Sequence, residues 1–441
     1  MSGPPSRRTL LAAGLAAPLI GALGGCGPSE GSLSAGDRTR ITFWSALRGS
    51  QEVVAAFNAS QDRIHVDFEQ VPTGTQGGYA KLGNAARAGN APDVATIEYP
   101  QLPGFAIDGV ARDLNDLVTD DLRAQLLPQA LERTTFDGRL YSVPLDLAPM
   151  VLHYRKDVFD HHGLRAPRTW AEFADLGRTI RDRVEGSRIT AFPTDGASQF
   201  AAFVCQAGGQ WFDIRDDAWR VAMTDAPTRR VAEYWQGLID EGLVHTTPTN
   251  SQQYNAQVSD GSILTRLTGS WDAGAQMNAR PGQAGQWAVA PLPQWEEDDA
   301  LLSDHGGSTF AVSTDSARPE AAMEFIAWQV AHPDAFRARL SAGTSTQFPA
   351  APALVDVGRE ALDPDYYDGQ DLYSLFDAEA AKVRDDWVWG PRMSSTFQVM
   401  HDNFARVGPG RMSVLDAVAA AQEGTIPDLH ALGLNVHAVH G

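Results

Sequence analysis

Ile41-Thr42-Phe43-Trp44, then Ile64-His65-Val66-Asp67-Phe68, then Asp93-Val94-Ala95-Thr96-Ile97 are the runs that decide the fold. The first and third are short β-type apolar stretches. The second alternates apolar and polar residues, as a half-buried strand does. Between them lie helix-like stretches over 51–59, with Val53, Val54 and Phe57 on one side, and over 78–88. A further helix starts near Leu102. Strand and helix in alternation predict an α/β fold whose parallel strands are covered on both faces.

The same reading extends along the chain. Phe136-Asp137-Gly138-Arg139-Leu140-Tyr141 is hairpin-like, and 150–154 is strand-like. Thr169-Trp170-Ala171-Glu172 is a capping box, with Thr169 as N-cap, opening a helix that runs toward Val184. Helices are predicted over 197–206, 227–241, 319–331, 333–340, 394–406 and 414–423. Strands are predicted near 262–267, 286–290 and 309–312. There is no internal repeat.

The first 25 residues have a different character. Ser6-Arg7-Arg8-Thr9-Leu10-Leu11 is a twin-arginine pattern, followed by an apolar run that ends in Leu23-Gly24-Gly25-Cys26. Positive start, apolar middle and small residues before a cut are the parts of a secretory signal. A cysteine straight after small residues is the lipoprotein pattern, with Cys26 as the lipidated first residue. The expectation is a signal peptide over 1–25, a linker over 26–37, and an exported domain moored to the outer face of the cell membrane. No later segment is long and apolar enough to span a bilayer.

Roughly 400 residues remain, enough for two well-filled cores. The formal charge of the chain is −20, and loss of the two positive charges of Arg7 and Arg8 with the leader leaves −22. That balance disfavours nucleic acid and anionic membrane surfaces as partners. With Cys26 assigned to lipid, Cys205 has no disulfide partner and reads as a small buried hydrophobe. His161-His162 read as a helix C-terminal feature, not as metal ligands. The acidic run 296–299 reads as a solvated loop. No metal site and no cofactor are expected.

A family resemblance now emerges from motifs in order. Ile41-Thr42-Phe43-Trp44, Ala91-Pro92-Asp93-Val94, Gly138-Arg139-Leu140-Tyr141-Ser142-Val143-Pro144 and Tyr154-Arg155-Lys156-Asp157 carry its first half. Pro167-Arg168-Thr169-Trp170-Ala171-Glu172-Phe173, Ala207-Gly208-Gly209, Thr268-Gly269-Ser270-Trp271, Gly306-Gly307-Ser308-Thr309-Phe310 and Pro391-Arg392-Met393-Ser394 carry its second. The chain resembles the family 1 extracellular solute-binding proteins of ABC importers, the group of maltose-binding and glycerol-phosphate-binding proteins. The resemblance implies a type II periplasmic-binding-protein fold. Each of its two lobes is a mainly parallel sheet flanked by helices, and a hinge joins them. By that analogy one lobe is 38–141 plus 301–364, and the other is 142–300 plus 365–437. It also implies a monomer, a small carbohydrate held in the cleft, and membrane permease subunits as partners.

Sugars present apolar C–H faces and many hydroxyls, so a site for them needs flat aromatic rings beside short polar side chains. Trp44 and Ser45 end a strand at the sheet edge that faces ligand in such folds, although a core Trp fits equally. Glu98 and Tyr99 sit at the equivalent edge, and Asp146 lies just past the crossing. Asp195, Ser198 and Gln199 precede the Ala207-Gly208-Gly209 turn, where Asp195 or Ser198 equally fit a helix cap. Trp271 is the leading candidate for a stacking ring, with Asp272 beside it. Gly307 and Ser308 belong to a small-residue approach for backbone N–H groups, or to a plain turn. Trp387 and Trp389, with Arg392, form a late aromatic and basic cluster. Arg392 also suits a phosphate, which gives the alternative of glycerol 3-phosphate or a glycerophosphodiester as ligand. A third alternative, an exported glycoside hydrolase, would need paired acids such as Glu98 and Asp146. Trp170, Trp235 and Trp328 sit in helical patterns and read as core.

Overall fold

Asp93 shows how the sequence pins the first sheet. Its carboxylate accepts from Thr42 N at 2.8 Å, Thr42 Oγ1 at 2.9 Å and Ser316 Oγ at 2.6 Å. One acid thus ties the strands Thr39–Ser45 and Val94–Glu98 to the turn after Ser308–Val312. The computed structural model describes residues 38–343 and 345–439. The leader, Cys26 and the linker lie outside the described residues.

The first sheet has five strands in the order Ile64–Gln70, Thr39–Ser45, Val94–Glu98, Ser308–Val312 and Val143–Pro144. The first three run parallel, in register Phe43↔Phe68 and Phe43↔Val94. Ser308–Val312 returns from late in the chain and pairs antiparallel, with Ser308 opposite Glu98. The helix Ser50–Ser60 buries Val53, Val54 and Phe57, the stripe expected from sequence. Phe57 meets Phe325 at 4.9 Å between ring centroids, and Phe325 meets Phe43 at 5.4 Å. Interlocked rings of this kind add to the burial term that holds helix to sheet.

The second group of strands departs from the expected mainly parallel arrangement. Met150–Arg155 lies between Thr265–Gly269 and Trp287–Pro291, antiparallel to both. Beside them is a parallel pair, Thr190–Pro193 and Val244–Thr247. Thr265 N donates to Ile189 O at 2.8 Å, which links pair and triplet. The physical cause is direct. Met150–Arg155 begins right after the crossing, so its direction is set by entry and not by a βαβ turn. Helices cover this group, and their core centres on Trp170, Phe203, Trp235 and Phe404.

Segments 143–150, 303–309 and 346–350 run side by side between the two groups. Leu145 N donates to Ser308 O, Met150 N to Ser303 O, His305 N to Ala148 O and Ala350 N to Leu145 O, at 2.9 to 3.1 Å. These bonds give eight backbone polar groups of the crossings the partners that burial requires.

Several local expectations hold. Thr169 Oγ1 caps Glu172 N at 3.1 Å, while the Glu172 carboxylate reaches Arg168 N, one residue earlier than a strict capping box. His161 and His162 end the helix Lys156–His162 before Gly163 at φ 65°. Glu296 and Glu297 of the exposed acidic run pair with Arg230 and Arg168 at the surface. Cys205 is buried, which pushes its thiol up. The last long helix, Val414–Ala431, extends eight residues past the sequence estimate, through Pro427.

Candidate functional site

Two cavities open where the strand ends meet the crossings. The first lies at the C-terminal edge of the parallel strands. It is lined by Trp44, Tyr79, Thr96, Glu98 and Ser308, among others, and encloses about 600 Å³ of space continuous with solvent. Trp44 is half-buried, with Lys81 Nζ 4.2 Å above its ring. The helix Gly78–Arg87 supplies Tyr79, whose hydroxyl donates to Glu98 Oε2 at 2.9 Å and accepts from Glu98 N at 3.1 Å. Glu98 meets solvent at the cavity yet is walled by protein. That desolvation raises its carboxyl above the usual range, and the Tyr79 hydrogen bond partly offsets the rise.

The second cavity is larger, about 1120 Å³, and predominantly polar. Its walls include Arg48, Gln199, Thr249, Asn250, Trp271 and His305. Trp271 stands at the N-cap of the helix Asp272–Ala279 and is half-buried. Its Nε1 donates to His305 O at 2.8 Å. The indole is therefore fixed by its polar edge while part of its surface remains on the cavity wall. Asp272 also lines this space, but Arg266 Nη2 donates to its Oδ1 at 3.0 Å. Gln276 Oε1 then accepts from Arg266 and Arg280 at 2.9 and 2.7 Å. The result is a cross-linked polar floor. Gln199 Nε2 donates to Leu267 O, which fixes its amide.

The remaining candidates are placed differently. Ser45 is buried, and its hydroxyl lies within 3.0 Å of Leu47 N, Ser50 Oγ and Thr96 Oγ1, a knot that holds the strand end. Tyr99 is buried and donates to Asp146 O at 2.9 Å, so it supports the crossing and does not face a cavity. Asp146 is itself buried, its Oδ1 accepting from Ser308 N at 2.7 Å. Burial drives the Asp146 carboxyl up to about 7, against the pull of that N–H. Gly307, at φ 90°, packs its α-carbon against the Tyr99 ring.

Asp195 is a turn fastener: its carboxylate accepts from Thr249 N, Thr249 Oγ1 and Asn250 N at 2.6 to 3.0 Å. Ser198 is half-buried on the helix Ala197–Gln206. The expectation of a ligand-facing cluster at Trp387 and Trp389 is corrected. Both are buried in the core, Trp387 against Trp211 at 5.8 Å and Trp389 against Phe397 at 6.0 Å. Their apolar area is better satisfied there than in water. Arg392 is also corrected as a ligand cation, since both its terminal nitrogens bind Asp108, at 3.0 and 2.8 Å.

Sequence reasoning brings Trp44, Glu98 and Ser308 to one cavity, and Gln199, Trp271 and Asp272 to the other. It missed Tyr79, Arg48, Thr249, Asn250 and His305. Only His305, directly before the Gly306-Gly307 pair, carried a readable signal. Among the described residues no group of three or more His, Cys, Asp or Glu is arranged to hold a metal ion. Among them, too, no helix is long and apolar enough to cross a membrane.

Known proteins share this architecture. The fold matches the galacto-N-biose/lacto-N-biose I-binding protein of an ABC transporter from Bifidobacterium longum, in complex with lacto-N-biose. The TM-score is 0.81 at 25% identity, over 91% of this chain and 100% of that one. It also matches an ABC transporter associated binding protein from B. animalis subsp. lactis in complex with β-1,6-galactobiose. There the TM-score is 0.79 at 28% identity, over 90% and 99% of the two chains. These neighbours establish the type II two-lobe fold. An arabinooligosaccharide-binding protein of Halalkalibacterium halodurans is 26% identical over 54% of each chain, so the match spans about half of that relative. One of the same description from Bacillus subtilis is 23% identical over 69% of this chain and 72% of its own. The sequence pattern of the bacterial extracellular solute-binding proteins matches residues 45–335, and the chain belongs to that family.

Proposed function

We propose that this protein is the capture component of an ABC importer, which takes a di- or oligosaccharide into the interlobe cleft and delivers it to permease subunits in the membrane. The observation that carries this reading is Trp271, anchored by its indole N–H on the wall of a predominantly polar cavity. A ring held so offers apolar surface to sugar C–H groups, and Gln199, Thr249 and Asn250 on the same walls suit hydroxyls. The Trp44, Tyr79 and Glu98 cavity offers a second aromatic and carboxylate surface. Relatives that bind arabino-oligosaccharides, lacto-N-biose and β-1,6-galactobiose support the substrate class.

The lobes are 38–141 plus 301–364 and 142–300 plus 365–437, and the hydrogen-bonded crossing segments form the hinge. A ligand that touches both lobes favours the closed state by its extra contacts there. The protein works as a monomer, exported and moored by lipid on Cys26. No chemistry is asked of it. Asp146 is buried on Ser308 N and Glu98 opens to a cavity, so the two are not set across a shared scissile bond. The phosphate reading loses its cation, because Asp108 holds Arg392.

A thermal-shift screen of the mature protein tests the proposal, with lacto-N-biose, β-1,6-galactobiose, arabino-oligosaccharides and maltotriose, followed by calorimetry. A ligand that binds only the native state raises the melting temperature. No shift with any saccharide, or release of reducing sugar from them, would overturn the reading. Loss of membrane association in Cys26→Ser tests the anchor.

A further inference from the structure

Asp108 and Arg392 are 284 residues apart and joined by two parallel hydrogen bonds. Asp108 ends the helix Leu102–Ile107, which packs Leu102 and Phe105 with Ile97 and Ala311 of the first sheet and with Leu82 of the helix Gly78–Arg87. Arg392 opens the helix Met393–Phe404, which sinks Met393, Phe397, Met400 and Phe404 into the Trp170 and Trp235 core. The two helices are therefore rooted in different hydrophobic clusters, and the first lies along the start of the second, from Gln101 through Gly104 to Asp108.

Neither charge serves its own helix. An acid at a helix C-terminus and a cation at a helix N-terminus both oppose the peptide dipole. Each is compensated by the other. The contact is also close. A Cβ on Gly104 would lie 2.7 Å from Pro391 O, so only glycine lets the backbones approach this far. Ser394 Oγ donates to Gln101 Oε1 at 2.6 Å one turn away.

We propose that Arg392 and Asp108 form an interlobe clasp that favours closure before any sugar arrives. This rests on the two-lobe, hinged reading above but not on the identity of the ligand. The clasp spares a sugar part of the work of closing, since apparent affinity scales with the population of the binding-competent state. Arg392 and Asp108 remain 27% and 40% exposed, so the bias is modest and sensitive to salt.

Small-angle X-ray scattering of the sugar-free protein tests it at 0.05 and 1 M NaCl, with circular dichroism as the fold control. Asp108→Asn and Arg392→Gln are expected to raise the radius of gyration at low salt, for an open-to-closed ratio shifted about two- to fivefold. The charge swap Asp108→Arg with Arg392→Asp is expected to restore the wild-type value. High salt is expected to move the wild-type protein toward the single variants. A wild-type radius of gyration in folded single variants overturns the clasp. So does a wild-type radius unmoved by salt, which decides the matter even where a variant does not fold. Sugar binding by calorimetry is a separate measurement, and either result can stand without the other.

Discussion

The indole N–H of Trp271 donates to the backbone carbonyl of His305, 2.8 Å away across a break of 34 residues. This bond fixes the ring plane and engages its donor, so a ligand on this cavity wall would meet the ring by its surface. Trp271→Ala is expected to weaken saccharide binding by about tenfold or more, the loss of one stacking platform. Trp271→Phe keeps a ring but drops the tether, and an intermediate loss is expected. Calorimetry of both variants with the best sugar from the screen checks this. Unchanged affinity in Trp271→Ala would remove the ring from the site.

Tyr79 and Glu98 make a second testable pair. The Tyr79 hydroxyl holds the Glu98 carboxylate by one oxygen on the wall of the cavity. Tyr79→Phe removes that hold and lets the carboxyl rise further above its ordinary range. Saccharide affinity is expected to fall about three- to tenfold, the worth of one ordinary hydrogen bond, because Tyr79 acts on the sugar only through Glu98. Glu98→Ala is expected to cost at least as much. Equal affinity across all three proteins would place the sugar outside this cavity.

The strands of the first sheet were legible because apolar runs and alternation follow directly from burial on one or both faces. Trp44 and Glu98 were legible for the same reason, as residues at or next to strand ends, and Ser308 as part of a small-residue approach. The helix Asp272–Ala279 was not, since its Ala, Gly, Gln and Asn residues carry little apolar periodicity. Trp387 and Trp389 misled because a tryptophan fits a core and a sugar site equally by composition. Partnerships such as Arg392 with Asp108, or Asp195 with Thr249, pair residues far apart in the chain. No local pattern encodes them, so charged side chains that looked available proved to be engaged.

Gly307 bears on stability. Its φ is 90°, and a Cβ there would lie 2.5 Å from the Tyr99 ring. Gly307→Ala combines backbone strain with a clash against a ring that cannot retreat, because Tyr99 Oη is held by Asp146 O. A loss of about 1–3 kcal/mol is expected. Urea unfolding gives the value. A change within about 0.5 kcal/mol would show that the crossing is more yielding than this packing implies.

The buried pair of Arg133 and Asp304 ties the crossing to both flanks. Arg133 Nη1 lies 2.9 Å from Asp304 Oδ1, with side chains 1% and 3% exposed, and its Nη2 donates to Arg384 O at 2.6 Å. Asp304→Ala strands the guanidinium without its counter-charge and is expected to cost about 3–5 kcal/mol. Replacing both, as Arg133→Met with Asp304→Leu, is expected to recover much of that loss. A double variant no more stable than the single one would assign the cost to packing instead of to the orphaned charge.

Asp146 gives the pH prediction. Its folded-state carboxyl is raised from 3.8 to about 7, with burial as the leading cause. The folded protein therefore holds this proton where the unfolded chain has released it. Stability from this group is full below about pH 4, falls as pH rises through the window to about 7, and is flat beyond. Asp146→Asn cannot ionise, and its amide oxygen can still accept from Ser308 N. The variant is expected to gain on the wild type across that window, by no more than about 4 kcal/mol at pH 8. His153 and His305, which burial lowers to about 4, push the other way in both proteins and drop out of the comparison. Urea unfolding of the two proteins from pH 4 to pH 8 measures the difference. A difference independent of pH would mean that Asp146 ionises in the fold as readily as in water.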